Sequence, residues 1–130
     1  MVIPKDSWPA SAEQRLKELG IQLPSPPTPF GTYVETVQTG NLLFLSGMLP
    51  VVNRKPKFIG RLGKELDTEA GRDAAYIAAL NVLAAAKEHL GSLDRVTRVV
   101  RLAVFIATSG DFLDQCAARQ ETPGASSGEC

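Results

Sequence analysis

The spacing of hydrophobic and polar residues changes along the chain and predicts three strands first. Apolar and polar residues alternate over 32–38, which is typical of a half-buried strand. The tripeptide at 39–41, Thr-Gly-Asn, is turn chemistry, and the apolar run 42–45 is typical of a central strand. After a polar loop over 53–57, a short third strand is predicted over 58–62.

A long helix and a fourth strand follow. The helix is predicted to begin at a cap formed by Asp67 or Thr68 and to end at Gly91. Residues 93–107 then give the strongest strand signal in the chain, with alternating apolar positions. The order strand, strand, strand, helix, strand predicts an α+β fold in which one long helix packs on one face of a sheet.

The two ends of the chain have a different character. Residues 1–30 are expected to form a short helix, between a Ser11 cap and Gly20, followed by a proline-rich connector. Residues 114–130 are rich in Gly, Ser, Pro and Ala without apolar periodicity, which predicts a disordered tail. The sheet would then have little to cover it, and 93–107 is expected to be an exposed apolar edge.

Composition narrows the possible classes of protein. The 130 residues are most simply one domain, and 14 basic and 14 acidic residues cancel, so neither nucleic acid nor a membrane is expected as a partner. The start of the chain does not resemble a signal peptide, and the apolar run 77–86 is too short to span a bilayer. Cys116 and Cys130 suggest neither a disulfide framework nor a metal site, so the protein is expected to be cytoplasmic.

Several motifs occur in an order that resembles one known family. They are G-x-Y at 31–33, GNLLFLSGMLP at 40–50, the helix register AALNVLAAA, G-SLD-V at 91–96, and VFIATSGDF at 104–112. Over residues 31–113, this pattern resembles the Rid (YjgF) family of enamine/imine deaminases. The N-terminal helix and connector look like those of a longer branch of that family.

The resemblance implies a chorismate-mutase-like α+β fold and a homotrimer with ligand clefts between its subunits. It implies hydrolysis of 2-imino or 2-enamino acids to 2-keto acids and ammonia, with no cofactor or metal. By position, Ser46 and Gly47 would line the cleft and Tyr33 would supply a hydroxyl group. The residues alone leave another interpretation open, in which 46–47 is only a bulge and Tyr33 only packs on its neighbour.

The chain also departs from the family pattern. Thr32 and Met48 replace the usual residues of the first motif, which leaves substrate choice open. The family continues with a second helix and a final strand that supply an arginine and a glutamate to the site. No residue here has a matching context, and Arg119 is interpreted as a chance match. The C-terminal part of the fold is therefore expected to be absent, and no catalytic residue is assigned.

Two other functions stay open: a non-catalytic protein that binds small carbonyl compounds or keto acids, and an RNA-directed activity. The second would use Arg95, Arg98 and Arg101, but no aromatic residues interleave with them. His89 could be a base, although its place near a helix end favours a capping role. The remaining candidates are interpreted as loop or packing residues: Asp111, Asp114 and Trp8.

Overall fold

A computed structural model describes residues 11–111 of the chain. It contains two helices, α1 and α2, two antiparallel hairpins, β1–β2 and β3–β4, and one turn of 3-10 helix. Their bounds are α1 Ala12–Glu18, β1 Thr36–Thr39, β2 Leu42–Leu45, β3 Val51–Val52, β4 Lys55–Pro56, α2 Thr68–Leu90 and the 3-10 turn Leu93–Arg95. Helix α2 lies against β1, β2 and β3. The predicted mixture of a long helix with antiparallel strands is therefore present.

Helix α2 begins and ends where its capping residues predict. The Asp67 carboxylate accepts a hydrogen bond from the amide of Ala70 (2.8 Å). Gly91 ends the helix with a φ of 81°, a left-handed conformation that glycine adopts at little cost. Four alanines from the middle of the helix onward are buried and let it approach its neighbours closely: Ala79, Ala84, Ala85 and Ala86.

Helix α1 is joined to the far end of α2 by one acidic residue. The Ser11 hydroxyl accepts a hydrogen bond from the Gln14 amide, so the predicted cap is confirmed. Glu13 then forms an ion pair with Lys87 (2.7 Å) and accepts a hydrogen bond from the Leu93 amide (3.0 Å). These contacts fix the N-terminal segment to the end of α2.

The first hairpin is shorter than the sequence predicts. Strand β1 begins at Thr36 rather than at residue 32, because the ladder pairs Thr36 with Leu45 and ends at Thr39 and Leu42. The turn is reduced to Gly40 and Asn41, with Gly40 at a φ of 55°. A glycine at the first position of a two-residue turn matches the twist of the strands that it joins.

The second hairpin overlaps the predicted loop over 53–57 and precedes the predicted third strand. The interpretation of 53–57 as a loop is wrong in part, since β4 pairs with β3 across a turn at Asn53 and Arg54. The third strand over 58–62 is not formed. Only Leu62 of that stretch makes bridges, to Leu66 and Thr108. A strand needs a continuous partner, and 58–62 has one at a single residue.

The fourth predicted strand is also not formed as a strand. Residues 96–107 have no ladder partner within 11–111. At the end of the segment, the Leu62 amide donates to the Ala107 carbonyl and the Leu62 carbonyl accepts from the Ser109 amide. The side chains of the segment nevertheless alternate: 102, 104 and 106 are half-buried, while 101, 103, 105 and 107 are exposed. The prediction of an exposed apolar edge is confirmed only in part: the exposed fraction of Phe105 is 93% and that of Val100 is 72%, but the segment is not a strand and so is not the edge of a sheet within 11–111.

Several predictions lie outside the described residues. They concern the tail 114–130, residues 1–10 of the N-terminal segment, and the second helix and final strand of the resembled family. The individual residues are Trp8, Asp114, Cys116, Arg119 and Cys130. Of the helices within 11–111, neither is long and apolar enough to cross a membrane.

Candidate functional site

A small groove lies between the proline-rich connector, the start of β1, the segment after β2, and α2. The residues that line it are Pro27, Thr28, Phe30, Tyr33, Glu35, Gly47, Met48, Leu49, Val51 and Asn81. It encloses about 20 Å³. That is room for about one water molecule. The enclosed part of the groove in a single chain is therefore too small for an amino-acid-sized ligand. Such a ligand would have to extend out through an open side of the groove.

Two of the three residues predicted for the site meet in this groove. Tyr33 and Gly47 both line it although 13 residues separate them in the sequence. The Tyr33 hydroxyl accepts a hydrogen bond from the Phe30 amide (3.3 Å). Since a phenol both donates and accepts, its own hydrogen is left for another partner.

Within residues 11–111, nothing in the structure requires residue 47 to be glycine. Its φ lies outside the left-handed region, and a Cβ atom added to it would meet nothing within 4 Å. Neither backbone strain nor internal packing explains the residue. A glycine in such a place is expected where something outside the chain approaches the backbone closely.

Ser46 precedes the groove residue Gly47 in the sequence but does not itself line the groove. Its amide donates a hydrogen bond to the Glu35 carbonyl (2.9 Å), one step beyond the last pair of the β1–β2 ladder. Among the described residues, its buried hydroxyl oxygen has no hydrogen-bond partner. Buried hydroxyl groups nearly always have a partner, so this one is an exception that calls for a ligand, a water or another protein atom.

Glu35 brings a carboxyl group into the groove. It makes no side-chain hydrogen bond or ion pair within residues 11–111. Burial raises the pKa of Glu35 above its ordinary value of 4.5, and the negative charge of Glu88 raises it further. A carboxylate with a raised pKa is a stronger base than an ordinary one, and such groups are frequent at functional sites.

Asn81 fixes the wall of the groove to α2. Its side-chain amide donates to the carbonyls of Leu49 (2.9 Å) and Val51 (3.1 Å). Only 3% of the residue is exposed. Asn81 thereby bonds to two backbone oxygens of residues 49–51, and it holds the segment after Gly47 in place.

The other polar candidates lie elsewhere. His89 donates from Nε2 to the Gln38 side chain (3.0 Å) and has Nδ1 3.2 Å from the Thr36 hydroxyl, so it joins α2 to β1 rather than facing the groove. Arg95 donates to the Leu90 carbonyl (3.0 Å) and caps the end of α2. Within 11–111, no group of three or more His, Cys, Asp or Glu side chains has an arrangement that could hold a metal ion.

A second depression lies along the first turns of α2. Glu69, Arg72, Asp73 and Tyr76 line it, all from one face of one helix. It is open to solvent, and among the described residues only side chains of α2 line it. The groove at Tyr33 is the better candidate because four parts of the chain converge on it.

Two groove residues without a predicted role, Glu35 and Asn81, have a recognisable signal in the sequence. Glu35 is two positions after Tyr33, and in extended backbone this spacing places two side chains on the same face. Asn81 interrupts an otherwise apolar run of α2, which marks a buried polar group. Thr28 and Phe30 lie in the proline-rich connector, where no periodicity indicates which side chains face the protein.

The comparisons with known proteins agree with this architecture. No family model matches the chain. Protein TCP17 of Trypanosoma cruzi is 41% identical over 100 residues, which are 77% of this chain, and the match spans 62% of the length of TCP17. A crystal structure of a candidate endoribonuclease from Shewanella oneidensis MR-1 superposes with a TM-score of 0.76 at 26% identity, covering 86% of this chain and 74% of that one.

A second solved structure has a higher sequence identity. The protein Atu1372 of Agrobacterium tumefaciens, of unknown function, has a TM-score of 0.75 and 36% identity. The match covers 85% of this chain and 67% of Atu1372. Both structures have the YjgF/Rid-like fold. The chain therefore has a YjgF/Rid-like α+β fold, and it belongs to the same family as Atu1372.

Proposed function

We propose that this chain is a Rid-family protein that hydrolyses 2-imino or 2-enamino acids to 2-keto acids and ammonia in the groove at Tyr33. The observation that carries the proposal is the convergence of Tyr33, Gly47 and the unpaired carboxyl group of Glu35 on one groove. The resemblance of 31–113 to imine deaminases supports it, as does the YjgF/Rid-like fold.

The hydrolysis needs a base and a hydrogen-bond donor rather than a strong nucleophile. The carbon of a protonated imine is electrophilic, and water adds to it once a base accepts a water proton. In the proposed reaction, Glu35 takes that proton while the C=N electron pair moves to nitrogen. The proton then passes to the nitrogen, the C–N bond breaks as C=O forms, and ammonia leaves with the hydroxyl proton as ammonium.

Each groove residue has a place in this scheme. The free hydrogen of the Tyr33 hydroxyl orients the substrate, because a donor fixed by the Phe30 amide loses little entropy on binding. The open backbone at Gly47 lets the flat imine lie against the chain. Burial raises the pKa of Glu35 and makes its carboxylate a stronger base than an exposed one.

A second copy of the chain would complete the groove. The single chain encloses space for about one water molecule. It also exposes apolar side chains on β1, β2 and the segment 96–107, among them Val37, Phe44, Val100 and Phe105. Such surface is typical of a subunit interface. We therefore expect a homotrimer, as the resemblance implies, with its ligand clefts between subunits.

The direct test is ammonia release from an imine generated in situ by an amino-acid oxidase. Wild-type protein should raise the rate above the uncatalysed rate, and Glu35→Gln should lower the catalysed rate by about a hundredfold or more. Glu18→Gln, on the exposed side of α1, is the control and should match wild type. An unaccelerated reaction with the wild-type protein would contradict the proposal.

Two alternatives predict other outcomes. A non-catalytic binding protein would bind a keto acid such as pyruvate and release no ammonia. An RNA-directed activity is favoured by the description of one structural neighbour as a candidate endoribonuclease. It would require RNA cleavage that survives repurification and depends on Arg98 or Arg101, which are exposed on the segment 96–107.

A further inference from the structure

The turn of the second hairpin contains an arginine in an unusual backbone conformation. Asn53 and Arg54 have φ values of 51° and 64°, which is the pattern of a type I′ turn. Asparagine is common in such turns, but the second position usually belongs to glycine. An arginine there has a conformational cost, and strain of this kind often marks functional positions.

The side chain of Arg54 is fixed against two residues that line the groove. Its guanidinium donates a hydrogen bond to the Thr28 hydroxyl and lies over the ring of Phe30, 5.5 Å from the centroid. Thr28 and Phe30 are both in the wall of the groove, and the Phe30 amide in turn bonds to the Tyr33 hydroxyl. The turn conformation thus places a positive charge against two residues that line the groove.

This charge is not neutralised by the protein. Within residues 11–111, Arg54 has no ion pair with an acidic side chain. A guanidinium has five N–H donors in a planar fork, and the Thr28 hydroxyl uses one of them. The remaining donors match a carboxylate, which accepts two parallel hydrogen bonds from such a fork.

We infer that Arg54 binds the carboxylate of the ligand in the groove, and that the site therefore selects 2-keto and 2-imino acids over their uncharged analogues. The inference rests on the proposed function for the class of ligand. Its own basis is the guanidinium of Arg54, which is fixed against the groove residues Thr28 and Phe30 and has no acidic partner within residues 11–111. Arg54 acts here in recognition and takes no part in proton transfer.

The test compares a charged ligand with its uncharged ester on the full chain. Pyruvate and methyl pyruvate are titrated into the protein at pH 7, and binding is followed by calorimetry or NMR. Wild-type protein should bind pyruvate about tenfold more tightly than the ester, since hydrogen bonds to a charged group are among the stronger ones. Arg54→Gln should remove this preference, and Arg54→Lys should retain part of it.

Two further variants separate charge and folding from recognition. Lys57→Gln is the matched control, because Lys57 is a cation near the same hairpin whose ammonium lies over Phe58, outside the groove. It should leave the preference intact. Arg54→Gly should lose the preference while melting no lower than wild type, because glycine relieves the positive φ.

Three results would overturn the inference: no preference in the wild-type protein, a preference that survives Arg54→Gln, or an equal loss in Lys57→Gln. Its failure is distinguishable from failure of the proposed function. Ammonia release without an Arg54-dependent preference would reject only the role of Arg54. An Arg54-dependent preference without ammonia release would reject the hydrolysis and leave the carboxylate site.

Discussion

The end of helix α2 and the groove differ in how well the chain satisfies its own polar groups. At the helix end, Glu13 accepts from Lys87 and from the Leu93 amide, and its own amide donates to Asp94. At the groove, the Glu35 carboxyl has no partner within 11–111, and neither does the buried Ser46 hydroxyl.

The same difference appears in the apolar side chains. Near the helix end, Ala84, Ala85 and Leu93 are each less than 5% exposed. On the segment 96–107, Phe105 is almost fully exposed. When the described residues satisfy one region so completely and leave another open, the open region is expected to make contacts beyond those residues. In our proposal those contacts are a ligand and further copies of the chain.

Asn81 lies where the helix meets the groove, and its loss should give the largest change in stability. Asn81→Ala removes the hydrogen bonds that the side-chain amide donates to the carbonyls of Leu49 and Val51, and the Leu49 carbonyl then keeps only the bond from the Val51 amide. The free energy of unfolding should fall by about 2 to 3 kcal/mol, measured by denaturant titration. Asn41→Ala, in the exposed hairpin turn, is the control. Equal effects of the two substitutions would show that Asn81 does not fix the groove wall.

Gly47→Ala should affect the open region only. Because a Cβ at residue 47 would have no described atom within 4 Å, the free energy of unfolding should change by less than about 0.5 kcal/mol. Ammonia release should fall by about tenfold, since about 1.4 kcal/mol of lost contact with the ligand is a factor of ten. Gly110→Ala is a matched control, as a Cβ there also meets nothing. Unchanged activity in Gly47→Ala would place the ligand elsewhere.

Glu13→Gln should affect the satisfied region only. The hydrogen bond from Lys87, followed by that from the Leu93 amide, lowers the pKa of Glu13 below 4.5. The carboxylate therefore stabilises the fold at neutral pH, and this contribution is lost as the pH falls from 4.5 through the lowered pKa. The variant should lose about 1 kcal/mol at pH 7, and this loss should shrink as the pH falls below 4.5. Glu18→Gln removes a half-exposed pair with Arg15 and should cost less.

Glu35→Gln should give the smallest change in stability, and of the opposite sign. The pKa of Glu35 is raised, so ionisation of this carboxyl disfavours the folded state once the pH exceeds 4.5. The variant should melt slightly higher than wild type at pH 7, and this gain should vanish as the pH falls below 4.5. A lower melting temperature at pH 7 would mean that Glu35 is a structural residue. Higher stability with lower activity is expected where a site keeps a strained group for function.

Local chemistry predicted the helices, while the strands depended on distant partners. Asp67 and Gly91 mark the ends of α2 through hydrogen bonds within one turn, so the sequence alone was sufficient. The predicted alternation over 93–107 is visible in the burial of side chains 101–107, yet a ladder forms only beside another strand. The pattern could predict the faces of this segment and could not supply its partner.

The site was predicted in part for a similar reason. Tyr33 and Gly47 followed from the resemblance, and the structure brings them to one groove. Arg54 could not be found from the sequence, because its contact with Phe30 depends on the turn at Asn53 and on the path of the proline-rich connector. Residues far apart in the sequence give no local signal that their side chains will be in contact in the fold.

The mass of the chain in solution, measured by light scattering after size-exclusion chromatography, tests most directly the claim that the open region is shared between copies. The account predicts a uniform species of about three times the 13.9 kDa chain mass. Phe105→Glu should dissociate it. A folded 13.9 kDa monomer that still releases ammonia from the imine would contradict the claim that the groove is completed by a second copy.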